Sequence, residues 1–157
     1  MNNTVSINWQ WRSFDELSNT QLYQLLKLRQ DVFILEQECL YPDIDGLDSN
    51  CIHLLGYEGE ILAAYLRFIP PEYHSSNNIA FGRITSLALK RGVGIGFAIM
   101  HQAMDYALEH YPNLNIQLGA QCYLQGFYEK FNFKAISEPY DEDGIMHIDM
   151  LFKRENN

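Results

Sequence analysis

Cationic residues are scarce in this chain of 157 residues: 11 Lys+Arg stand against 20 Asp+Glu, a formal net charge of -9. Nucleic acid, whose phosphates select a basic face, is therefore not an expected partner. No apolar run approaches the ~20 residues that cross a bilayer, so no membrane partner is expected. Residues 1–14 are polar with two tryptophans and lack the apolar centre of a secretory signal, so a cytoplasmic location is expected. Cysteine is rare too. Cys39, Cys51 and Cys122 are odd in number and never spaced C-x-x-C, which indicates neither a disulfide framework nor a zinc site; they read as small buried apolar side chains. Internal repeats and low-complexity tracts are absent. So is Gly-Lys-Ser/Thr, which removes a nucleotide-triphosphate loop.

What is present is a packed globule: 47% hydrophobic and 13% aromatic residues, read as a single domain over 1–157. Alternation over 5–11 predicts a first strand. Ser18 and Gln21 have capping-box spacing and open a helix through Leu22, Leu25, Leu26, Arg29 and Phe33. An acidic loop with Asp43, Asp45 and Asp48 leads to two adjacent strands, 52–57 and Ile61–Ile69. Pro70-Pro71 and 75–78 mark a loop before a strand over 79–89. A glycine turn, a helix over 97–110 and a strand over 115–120 follow. A short helix over 124–131 and strands at 134–136 and 147–153 complete an α/β layout with a mixed, twisted sheet flanked by helices.

The glycine turn, Arg91-Gly92-Val93-Gly94-Ile95-Gly96, carries the most chemistry. Backbone N–H groups at a helix N-terminus lack intrahelical partners and sit at the positive end of the macrodipole. Glycine lets that backbone approach an anion closely. The turn should therefore hold a pyrophosphate. A dinucleotide fingerprint is disfavoured, because Phe97 stands where its third glycine belongs and no carboxylate lies around Ile116 to read a ribose.

R-x-x-G-x-G over 91–96 resembles the acyl-coenzyme A loop of the GNAT N-acetyltransferase superfamily. The resemblance extends over most of the chain and is closest to the ElaA-like group. It rests on Leu22-Tyr23 through Arg29, Val32-Phe33-Ile34-Leu35-Glu36-Gln37, Tyr41-Pro42, Asp45-Gly46, His53, Ala64-Tyr65-Leu66-Arg67 and Gly82-Arg83. It continues in Ala120-Gln121, Phe127-Tyr128-Glu129, Glu142-Asp143-Gly144-Ile145 and His147. Asn132 and Met146 depart from it, standing where glycine and proline are common. The resemblance implies the GNAT acyl-CoA N-acyltransferase fold. It implies acetyl transfer from acetyl-CoA, as co-substrate, to a primary amine of a small molecule or peptide by direct attack. A non-catalytic acyl-CoA sensor is the alternative. No metal is implied, and a monomer or homodimer is expected.

By that resemblance the cofactor-binding residues are Leu87, Ala88 and Leu89, beside the pantetheine arm, and Arg91, Gly92, Val93, Gly94, Ile95 and Gly96, around the pyrophosphate. Tyr128 occupies a position where many GNAT enzymes place a tyrosine. Its phenol is protonated at neutral pH and can donate to the departing thiolate; alternatively it packs beside Phe127 and Phe131. Glu36, His53, Glu142 and His147 are candidates to take the amine's proton, with Glu36 and His53 preferred. Arg67 and Arg83 either bind an acceptor carboxylate or lock loops. The acidic loop either attracts cationic acceptors or serves solubility. Neither that loop nor 141–144 has calcium-loop spacing, and both read as turns.

Overall fold

The computed structural model describes residues 6–155. Strand β1, Asn8–Ser13, leads to helix α1, Asn19–Arg29; Val5 lies outside the described residues. The capping box forms as the spacing requires. Gln21 N–H donates to Ser18 Oγ at 3.0 Å, and Ser18 N–H donates to Gln21 Oε1 at 3.1 Å. The helix then widens into π-helical turns over Gln30–Glu36, a feature that often accompanies functional sites.

Strands β2, Ile52–Glu58, and β3, Ile61–Ile69, form a hairpin. Strand β4 spans Ile79–Ser86 and helix α2 Ile95–His110, with a 3₁₀ turn at Ala88–Lys90 between them. Strand β5, Ile116–Gln121, and helix α3, Gln125–Glu129, precede β6 at Lys134–Ala135, β7 at Tyr140–Glu142 and β8 at Ile145–Phe152. The eight strands form one sheet in the order β1-β2-β3-β4-β5-β8-β6, with β7 also on β8. Among the described residues only the β4–β5 pair is parallel, and α2 supplies the crossover such a pair needs.

Helices cover both faces of the sheet. Ile95, Ile99, Met100, Ala103, Met104 and Ala107 make one buried stripe of α2, packed on Leu54, Leu66, Phe68, Ile116 and Leu118. On the other face Leu25, Leu28 and Val32 pack on Leu55, Leu62 and Tyr65. Adjacent Leu54 and Leu55 thus serve opposite cores, as strand alternation dictates. Truncating Ile99 to Ala would cost about 2–5 kcal/mol.

Two sequence readings change. The strand expected over 79–89 ends at Ser86. The segment read as a turn over 141–144 is mostly hairpin: Glu142 pairs with Ile145 across Asp143-Gly144, whose φ values are 53° and 87°. Two consecutive positive φ angles make the tight turn that Asp-Gly favours.

Candidate active site in the gap between two parallel strands

Strands β4 and β5 pair only at Ile79–Ile116, Ala80–Gln117 and Phe81–Leu118. Beyond those positions they separate. The cause lies on β4, where the step from Gly82 to Thr85 faces the shorter step from Arg67 to Tyr65 on β3. The extra residue makes a bulge that bends and twists the strand. Arg83 sits in it with φ 51°, a conformation costing on the order of 1–3 kcal/mol in a non-glycine residue. Its guanidinium offsets that cost. Nε donates to Asp43 Oδ1 at 2.8 Å and Nη2 to the Asp43 carbonyl at 3.0 Å, with the Tyr41 ring 5.4 Å away.

The separation opens a cavity of about 370 Å³. Its walls are Gly82 and Arg83 from β4, Gly119 and Gln121 from β5, and His147 and Asp149 from β8. Phe33 from the π turns, Gln37 just past them, Tyr41 and Tyr128 from α3 also line it.

At the C-terminal side of β4 the chain turns through Gly92 and Gly94, with φ of 84° and 83°. A side chain would be strained at either position, yet the space beside both Cα atoms is open. Openness there suits close approach by a ligand. Gly94 caps α2 and no side chain caps that end, so the first-turn N–H groups lack both an intrahelical and a side-chain partner. Arg91 joins Glu36 through two hydrogen bonds, and Lys90 pairs with Glu58. Both cations beside the loop are thus balanced, which leaves the backbone N–H groups and helix dipole as its unmatched positive charge. Gly96 faces α3, where a Cβ would meet Phe127 Cζ at 3.4 Å, an ordinary contact.

Tyr128 is buried against Phe127 and Phe133, at centroid distances of 5.1 and 6.3 Å. Among the described residues its hydroxyl has no hydrogen-bond partner, and it borders the cavity. Burial pushes the phenol pKa well above its ordinary value, so the hydroxyl keeps its proton at neutral pH.

Residues 32–154 match the model of the acetyltransferase (GNAT) domain. The chain belongs to the GNAT acetyltransferase family. ElaA of Escherichia coli is 40% identical over 146 residues, covering 92% of this chain and 95% of ElaA. A UPF0039 protein of Synechocystis is 40% identical over 150 residues, 95% of this chain and 97% of that one. The crystal structure of ElaA has a TM-score of 0.86 at 39% identity, over 96% of this chain and 100% of that chain. That of an acyl-CoA N-acyltransferase from Pseudomonas aeruginosa has a TM-score of 0.89 at 36% identity, with the same coverage. The protein is an acyltransferase with the acyl-CoA N-acyltransferase fold.

In this GNAT acyltransferase the two preferred base candidates lie outside the cavity. Glu36 is committed to Arg91 at the glycine loop. His53 is fully buried, with Nδ1 2.7 Å from the Tyr65 hydroxyl and Nε2 2.9 Å from the Asp48 carbonyl. Burial also lowers its pKa. Neither lines the gap. Glu142 and His147, the other two candidates, do line the cavity. The N–H of Leu87, expected beside the pantetheine arm, donates to Ala63 O at 2.9 Å. The strand edge left unpaired toward β5 runs from Gly82 to Ser86.

The acidic loop is not an open negative patch. Arg29 bonds Asp43 and Asp48, Arg67 bonds Asp48 and Asp45, and Arg83 bonds Asp45 and Asp43. The six side chains close a ring of alternating charge that ties the loop to α1, β3 and β4. Arg67 and Arg83 border the cavity, but their charges are already met. Sequence reasoning offered loop locking by Arg67 and Arg83 as one alternative, because buried arginine needs partners, but did not join them to Asp43, Asp45 and Asp48 or add Arg29. It also did not place Tyr41 and Tyr140 at the site.

Proposed function

We propose that the protein transfers acetyl from acetyl-CoA to a primary amine by direct attack within the β4–β5 gap. The observation that carries this reading is a succession along one strand: β4 parts from β5 at a cavity that Tyr128 lines, and the chain leaving β4 turns through a glycine-lined helix start with no side-chain cap. The pyrophosphate rests on the N–H groups around 92–96, and the pantetheine amides extend the edge of β4. The thioester is thereby brought beside Tyr128. Holding both reactants in one cavity removes most of the entropic part of the barrier.

The acceptor ammonium first gives one proton to a base. The neutral amine attacks the thioester carbonyl carbon, a C–N bond forms, and the C–S bond breaks. Tyr128 gives its hydroxyl proton to the leaving thiolate, and the proton lost from the new amide nitrogen restores the phenol through solvent. One proton is released per turnover. A primary-amine and peptide screen with free-thiol detection tests the reading. Thiol release that depends on an amine is expected, and release that no amine stimulates would reject it. Thermal stabilisation by acetyl-CoA but not by NAD or ATP is the accompanying binding result expected by mass action.

A further inference from the structure

Two hydrogen-bond acceptors meet at the cavity with no donor between them. His147 Nδ1 lies 2.8 Å from the carbonyl oxygen of Ile145. A carbonyl only accepts, so Nδ1 carries the hydrogen, and Nε2 of the neutral imidazole keeps a lone pair. That Nε2 lies 3.5 Å from Glu142 Oε2, and a carboxylate also only accepts. A neutral His147 therefore cannot donate to Glu142. The pair is complete when a proton sits on Nε2 or when an outside donor lies between the two acceptors.

The hairpin holds both groups in place. The Asp143-Gly144 turn sets Glu142 opposite Ile145 and Tyr140 opposite His147. The Tyr140 ring stacks on the imidazole at a centroid distance of 6.1 Å, and its hydroxyl donates to Asp149 Oδ1 at 2.6 Å. The His147 side chain is mostly buried, at 14% exposure, whereas Glu142 stands at the rim, at 57%. Across the cavity, Arg67 and Arg83 do not repel a cation as free charges would, because the aspartate ring neutralises them.

We propose that His147 Nε2 and Glu142 Oε2 form the subsite for the acceptor's ammonium, and that Nε2 is the atom that takes its proton. The inference rests on the amine-acetylation reading and names its acceptor as a cation carrying N–H donors. A primary ammonium gives one N–H to Nε2 and another to Oε2. Transfer of the first proton leaves R–NH₂ with a free electron pair and an imidazolium whose new Nε2–H is stabilised by the Glu142 carboxylate. Water later removes that proton. Quaternary ammonium ions, which lack N–H groups, have nothing to place between the two acceptors.

The test is nitrogen NMR of the ¹⁵N-histidine-labelled full chain, titrated separately with butylamine hydrochloride and tetramethylammonium chloride near neutral pH. In the free protein the neutral His147 should be the Nδ1–H tautomer; the Nε2–H tautomer would overturn the proposal without any variant being needed. Butylammonium should shift the Nε2 resonance and tetramethylammonium should not. Glu142→Gln should raise the butylammonium midpoint about tenfold or more, with acetyl-CoA binding unchanged as the check on folding. Equal responses to the two cations, or an unchanged midpoint in Glu142→Gln, would also overturn it. Amine binding without any acetyl transfer would support the subsite and reject the proposed reaction. Acetyl transfer with a silent His147 would reject the subsite alone.

Discussion

Arg29 donates from Nη1 to Asp48 Oδ1 at 2.7 Å, with the arginine wholly inaccessible to solvent and the aspartate nearly so. Asp48 also accepts from Arg67, so one carboxylate bridges two buried guanidinium groups. Asp48→Ala removes one of the two carboxylate partners of each, leaving Arg29 with Asp43 and Arg67 with Asp45 and the ring one negative charge short, and should lower the unfolding free energy by about 3–5 kcal/mol. Urea denaturation checks this. An effect no larger than that of a typical surface substitution would show that the loop is not held by the ring.

The same ring sets a pH dependence. Burial alone would raise the Asp45 pKa, but hydrogen bonds from Arg67 and the Leu47 N–H, with the charges of Arg67 and Arg83, outweigh it and hold it at about 2 against an ordinary 3.8. A folded-state pKa below the unfolded one adds stability that is present above about pH 4 and is lost as pH falls toward 2. Asp48 is shifted in the same direction. Acid titration of the thermal midpoint should therefore fall steeply between about pH 4 and pH 2. Asp45→Asn should flatten that fall.

These long-range pairs also mark the limit of what was legible in the sequence. The Ser18–Gln21 cap, the alternation of β5 and the glycine loop are local patterns, and each forms where its spacing places it. Arg83 and Asp43 are 40 positions apart, so the acidic loop could be read as open charge only because its partners were invisible. The burial of His53 was hidden for the same reason. Its sequence shows a histidine in a strand, whereas its burial depends on Tyr65 and Asp48 closing over it. The widening at Gln30–Glu36, which sends Glu36 to Arg91 while Phe33 and Gln37 face the cavity, leaves no periodic signature in so short a run.

Gly94→Asp probes the anion site. Aspartate adds a negative charge at the helix start and a side chain at φ 83°, although the space itself is open. Affinity for acetyl-CoA should drop at least about tenfold, with the thermal midpoint only modestly lower. Calorimetry showing unchanged affinity would move the pyrophosphate elsewhere.

Tyr128→Phe keeps the ring among Phe127 and Phe133 and removes only the hydroxyl. Under conditions where chemistry limits the rate, kcat should fall about 10²–10⁴-fold, with acetyl-CoA affinity unchanged. A variant that turns over at the wild-type rate would return Tyr128 to a packing role.

The β4–β5 gap is proposed to move an acetyl group from coenzyme A to an amine nitrogen. Mass spectrometry of a primary-amine panel incubated with the full-length protein and ¹³C-acetyl-CoA reads that transfer directly. The expected result is an acceptor that gains the labelled acetyl group at nitrogen in step with free coenzyme A. Coenzyme A appearing as free thiol while the label is recovered only as acetate, or no label leaving the thioester with any amine, would contradict it.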